Sequence, residues 1–212
     1  MDATLAQAWR DVVLHPRARV SDHVRAGPRN VLLVLPLCAG VLQSFVQGAT
    51  NSVGLQGSVL SVFAFAVPIG VVWGLLQVHL LAACLWAVAR RDNRRIPFRM
   101  ARHVVALATA PAATAFLAWL TVAVMLGRIV FVNPEAWDPS AISLSTSLTM
   151  TLVYLGSALS VLWGFVVLAF GVREATATSM AGAVGTIMKA GLVLFGVCFM
   201  AVAVVIAGVI LV

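Results

Sequence analysis

Residues 30–89 contain no aspartate, glutamate, lysine or arginine. A bilayer core about 30 Å thick is crossed by roughly 20 apolar residues in a helix. The uncharged stretch is far too long for one crossing, so it predicts a hairpin of two spans joined by a turn. The rest of the chain agrees: 62% of it is hydrophobic, 10% is charged and its mean hydropathy is +1.04. A soluble domain carries about a quarter charged residues. The expected fold class is therefore all-α, a polytopic membrane helix bundle. At 212 residues the chain has room for that bundle and short caps, but for no second soluble domain.

The apolar runs place five transmembrane helices at about 30–48, 58–89, 99–127, 147–171 and 187–211, behind an N-terminal segment 1–29. The second is too long for a perpendicular crossing. It must tilt, kink at Pro68 or emerge from the bilayer. Pro111 lies inside the third. Within the N-terminal segment, Leu5, Trp9, Val12 and Val13 share one helical face, and His15-Pro16 should end that helix. Such an amphipathic helix lies in the membrane interface or packs on the end of the bundle.

Charge sets the expected orientation. The net charge is +7 and the pI about 11, which the positive-inside bias explains without nucleic acid. Arg10, Arg17, Arg19, Arg25 and Arg29 precede the first span. Arg90, Arg91, Arg94, Arg95, Arg99 and Arg102 surround the link from the second to the third. The first turn has no charge, and the next outer link sets Arg128 against Glu135 and Asp138. The N-terminus is thus expected in the cytoplasm and the C-terminus outside, with Arg173 and Lys189 also on the cytoplasmic side. The first apolar run follows a polar segment, as in a retained signal anchor. Lys189 is the only lysine among 14 cations, a bias that points to a GC-rich bacterial genome and hence to a bacterial cytoplasmic membrane. Cys38, Cys84 and Cys198 are scattered through apolar runs and predict no disulfide.

The acids Asp2, Asp11, Asp22, Asp92, Glu135, Asp138 and Glu174 all fall outside the spans or at their ends. An ion-coupled transporter places a carboxylate inside the membrane, and a zinc protease needs His and carboxylate at HExxH spacing. Neither pattern is present, so no metal, cofactor or enzymatic activity is expected. Ser157 and Ser160 are span hydroxyls whose only deep histidine is His79, and a membrane serine usually bonds its own backbone or a neighbouring helix. Gly70 and Gly74 form GxxxG, and Gly156, Ser160 and Gly164 form a small-residue ladder, both suited to close helix packing.

Two functional readings follow. In the first, Arg90, Arg91, Arg94, Arg95, Arg99 and Arg102 bind anionic lipid headgroups or a partner, either a membrane protein or a second copy of the chain. In the second, Gln77, His79, Thr109 and Thr114 line a polar path between the proline-bearing second and third spans, as in a small transporter, channel or lipid-moving protein.

Several spaced residues also recur in one arrangement. These are Ala8-Trp9 through His15-Pro16, Pro97-Phe98-Arg99, Ala108-Thr109-Ala110-Pro111, Trp163-Gly164-Phe165, and Gly171-Val172-Arg173-Glu174-Ala175 with Ser179. The arrangement resembles bacterial members of the Ypt-interacting-protein (Yip) family. The resemblance implies five spans, a cytoplasmic N-terminus, an opposite C-terminus and a non-enzymatic membrane factor with no catalytic residue. Eukaryotic relatives bind small prenylated GTPases. Their Asp-Leu-x-Gly-Pro motif is missing, and Val31–Leu37 (VLLVLPL) stands in its place.

Overall fold

The computed structural model describes residues 5–26, 31–94, 96–133 and 143–210. Asp2, Arg29, Arg95, Glu135 and Asp138 lie outside the described residues, as does the end of the fifth expected span. Those described form helices α1 (Leu5–Leu14), α2 (Pro16–Ala26), α3 (Val31–Thr50), α4 (Val59–Arg91), α5 (Phe98–Ala108), α6 (Ala110–Leu126), α7 (Leu144–Thr176) and α8 (Met180–Ile210). Short 3-10 turns at Val53–Leu55 and Gly127–Phe131 close the loops after α3 and α6. Five segments are long and apolar enough to cross a membrane: Val31–Thr50, Val59–Arg91, Phe98–Phe131, Leu144–Thr176 and Met180–Ala203. The chain is a multi-pass integral membrane protein with an all-α fold.

Local chemistry sets several boundaries. Ser58 and Ser143 cap α4 and α7, each accepting a hydrogen bond from the amide three residues on, at 3.2 Å. The third span is two helices, because Pro111 has no N–H to donate and the α-helical ladder stops before it. The chain breaks at Thr109, whose hydroxyl donates to the Ala106 carbonyl at 2.7 Å.

Helices α7 and α8 overrun the expected spans. Ser143 accepts from the Thr146 amide and so starts α7 three residues before the expected span, and within it Thr149 and Thr151 donate their hydroxyls to carbonyls four residues back, at 2.8 and 2.9 Å. Arg173 and Glu174 consequently sit in the last turns of α7 and not in a link. The sequence reading also missed α2, which begins with Pro16 in the favoured first-turn position and buries Val20, His23 and Val24.

The α3–α4 hairpin is held by backbone contact. A Cβ at Gly40 would overlap the Gly70 carbonyl and the Gly74 backbone, and one at Gly74 would overlap the Pro36 carbonyl. The GxxxG pair is a packing seam, and Gly40 and Pro36 are its partners. Helix α7 presents a different stripe. Met150, Val153, Ser157, Ser160, Gly164, Val167 and Gly171 alternate steps of three and four, the period of supercoiled helices. Gly164 lies against the Ala108 carbonyl, but Gly156 is one residue off this register and faces open space. It does not belong to the expected ladder.

Two hydrophobic cores divide the molecule. One, at the arginine-bearing end, gathers mostly Ala, Val and Leu from α1, α2, α4, α5, α7 and α8. The other, toward the opposite end, is aromatic: Phe45, Phe131 and Trp119 are fully buried there, with Phe63, Phe116 and Tyr154 against them. Helix α1 is docked on the first core. Ala8 and Val12 are 0% exposed, Trp9 Nε1 donates to the Ala110 carbonyl at 3.2 Å, and Trp163 Nε1 donates to the Val13 carbonyl at 2.8 Å. The bundle, not a lipid plane, takes its apolar face.

Candidate functional site

Helix α4 has 33 residues, about 50 Å at 1.5 Å per residue, and so extends well beyond the hydrocarbon core. Its last turns carry Trp86 and Arg90, one turn apart, and the Arg90 guanidinium sits 5.4 Å from the Trp86 ring centre. Asp92 ends the helix. Asn93 then adopts φ 57°, a left-handed conformation that asparagine tolerates better than most residues. This turn brings the Arg94 amide back to the Ala89 carbonyl at 2.8 Å. The Arg94 side chain reaches α8, where it donates to the Thr186 hydroxyl at 3.0 Å.

Pro97 turns the chain into α5. Phe98 meets Trp86 edge-on at 6.3 Å, and the Arg102 guanidinium lies 5.4 Å from the Phe98 ring. The result is a row on the outside of the bundle, two aromatic rings edge to face in the middle with a guanidinium group at each end. Beside it opens a cleft of about 720 Å³ lined by Trp86, Arg90, Asn93, Arg94, Ile96 and Pro97.

The local acid answers chiefly to a lysine, with Arg94 and Arg91 as weaker charge neighbours. Asp92 accepts a 2.8 Å hydrogen bond from Lys189 on α8, and that bond holds its carboxyl below the ordinary carboxylate range. The same pair gives the lysine of the fifth span its partner. Arg102 has a different imbalance. One of its guanidinium amino groups lies 3.4 Å from His79 Nε2, while its Nε is buried without a partner among the described residues. A buried donor left unmade costs roughly 1–3 kcal/mol. Guanidinium groups bind phosphate in paired, charge-assisted hydrogen bonds.

Of the six expected arginines, Arg90 and Arg94 line the cleft and Arg102 flanks it. Arg91 and Arg99 are exposed, and Arg95 lies outside the described residues. The four residues of the expected polar path are not brought together. Gln77, His79 and Thr114 are exposed on the outside of the bundle, and Thr109 is half-buried with its hydroxyl bonded to its own helix. Helix α4 packs on α3, α5 and α8, whereas α6, which carries Thr114, packs on α3 and α7. Ser157 donates to the Val153 carbonyl and accepts from Trp119 Nε1, both at 2.8 Å, and Ser160 donates to the Ser157 carbonyl. Neither hydroxyl is offered to a base. Among the described residues no group of His, Cys, Asp or Glu could hold a metal ion.

Trp86, Asn93, Phe98 and Thr186 belong to the site but were not singled out from the sequence. A signal was there. An aromatic residue precedes an arginine by four positions twice, Trp86 to Arg90 and Phe98 to Arg102, the spacing that stacks side chains on one helix face. No protein-family model matches the chain, and no curated protein or solved structure matches it.

Proposed function

We propose that the chain is a non-enzymatic membrane protein of the Yip type that organises lipid at a basic cytoplasmic face, holding anionic headgroups in the Trp86–Arg90–Arg94 cleft. The observation that carries this reading is the cleft itself: Arg94 held by Thr186, Arg90 over the Trp86 ring and the indole border open space, beside an acid whose hydrogen bond goes to Lys189. Trp86 suits the headgroup depth, where aromatic rings concentrate, and the Arg102 guanidinium over Phe98 adds positive charge beside it. The positive-inside rule supports a cytoplasmic location for this end. A partner protein that binds here would do so through acidic groups.

Native mass spectrometry of the full chain, titrated with phosphatidylglycerol against phosphatidylcholine, tests the reading. Each arginine near anionic lipid contributes about 1 kcal/mol, or about fivefold in affinity. Arg90→Gln with Arg94→Gln should weaken phosphatidylglycerol retention by about 25-fold and flatten its salt dependence. Equal retention by the double variant would remove the lipid role.

A further inference from the structure

The end of the molecule opposite the arginine cluster holds a second groove, about 480 Å³ in volume, between α3 and α4; its own lining contains no charged residue, and Arg128 stands in the adjoining cavity beyond Gln56 and Gly57. Its floor is one face of α4, where Val62, Phe65, Ala66 and Ile69 follow helical spacing. Phe65 and Ile69 are 71% and 61% exposed. Above that floor stand the carboxamides of Gln47, Asn51 and Gln56 with the hydroxyls of Ser44 and Ser61. Gly48 leaves the space open: a Cβ there would meet only the Phe131 ring, at 3.9 Å.

The polar groups differ in how they are satisfied. Deeper along α3, the Gln43 carboxamide accepts from Trp73 Nε1 at 2.8 Å. The side chains of Gln47, Asn51 and Gln56, nearer the surface, make no hydrogen bond to another described residue. A carboxamide both donates and accepts, as does a ligand hydroxyl, whereas a phosphate only accepts and seeks a cation. An apolar slot running down a membrane helix beneath carboxamides and hydroxyls, with its one neighbouring cation outside the lining, has the polarity of a lipid with a polyhydroxyl headgroup.

We infer that this groove binds a membrane lipid with an uncharged sugar or glycerol headgroup, its hydroxyls against Gln47, Asn51 and Gln56 and its chain along Phe65 and Ile69. The site is independent of the basic cleft and carries the opposite selectivity, for neutral over anionic lipid. One protein would then recognise a different lipid at each of its two ends.

The test is native mass spectrometry of the full chain with monogalactosyl diacylglycerol, with phosphatidylglycerol, and with free methyl galactoside as the headgroup alone. The neutral lipid should be retained, and methyl galactoside should not displace it. Gly48→Trp, which fills the groove, should abolish retention. Gln47→Leu with Asn51→Leu, both at exposed positions, should weaken it by about fivefold per lost hydrogen bond. Phosphatidylglycerol retention, which depends on the other end, should stay as in the wild type for all of these variants. Undiminished galactolipid retention by the Gln47→Leu, Asn51→Leu variant overturns the inference. So does equal competition by phosphatidylglycerol at the groove, or a dimer of the chain that Gly48→Trp dissociates.

Discussion

The two ends of this bundle are held together by different chemistry. At the arginine-bearing end the core is Ala, Val and Leu, and its elements are tied by polar contacts between distant segments: Trp9 to Ala110, Trp163 to Val13, Arg94 to Thr186, Lys189 to Asp92, and His23 to Asp11 at 3.4 Å. At the opposite end, tilted and edge-on rings fill the core, with fewer polar ties beside them, Trp119 to Ser157 and Asn133 to Ser52. Phe45 meets Phe63 at 4.9 Å and Phe131 at 5.4 Å, and Trp119 meets Tyr154 edge-on at 5.4 Å. Inside a bilayer, burying apolar surface gains little over leaving it in lipid, so close packing and shape decide association. Large rings supply that packing at one end, and small apolar contacts with directed hydrogen bonds supply it at the other.

Substitutions can break this contrast. The largest effect should come from the seam between the halves. Gly74→Leu drives a side chain into the Pro36 carbonyl, which as backbone cannot yield, and should cost more than about 3 kcal/mol in denaturant titration of the reconstituted protein. Gly191→Leu on α8, where a side chain meets open space, should stay within about 0.5 kcal/mol. Trp119→Ala should rank next. It empties a fully buried site and removes the indole hydrogen bond to the Ser157 hydroxyl, for a loss of about 3–5 kcal/mol. Trp9→Phe, which removes one hydrogen bond at the basic end, should cost only about 0.6–1.7 kcal/mol. If Trp9→Phe proved the more damaging, the division into a ring-packed half and a tied half would be wrong.

Two smaller effects sharpen it. The Tyr154 hydroxyl is buried with no partner among the described residues, so Tyr154→Phe should be neutral or stabilise by up to about 1 kcal/mol. The Asp92–Lys189 pair predicts a pH dependence of defined sign. Because folding lowers the carboxyl's pKa, its contribution is complete above the unfolded carboxylate pKa and is lost as pH falls through the lower folded value. Thermal stability of the wild type should therefore drop across that acidic window more than that of Asp92→Asn.

Much of this was legible in the chain because membrane spans announce themselves by apolar length. The uncharged stretch 30–89 gave the α3–α4 hairpin, and Pro111 marked the break at Thr109 within one or two residues. Helix ends read less well. Ser and Thr at the start of α7 look like loop residues until their hydroxyls are seen bonded to their own helix. Helix α2 was hidden by Arg17, Arg19 and Arg25, since its buried face is only Pro16, Val20, His23 and Val24. The arginines of the site were visible as a cluster, but their division was not. Which of them line a cleft depends on the left-handed turn at Asn93 and on Thr186, 92 residues from Arg94 along the chain. The polar path failed for a related reason: Gln77 and Thr114 look like neighbours only if the second and third spans pack along their whole length, and α3 packs against both α4 and α6.

The account rests on the two ends facing opposite sides of one membrane, with the arginines in the cytoplasm. Single cysteines at Asn93, Ser179 and Val53, in a chain whose three native cysteines are replaced by alanine, test this with an impermeant maleimide on intact cells. The account predicts labelling at position 53, and at 93 and 179 only after permeabilisation. Labelling of 93 in intact cells with 53 protected, or opposite behaviour of 93 and 179, would contradict it.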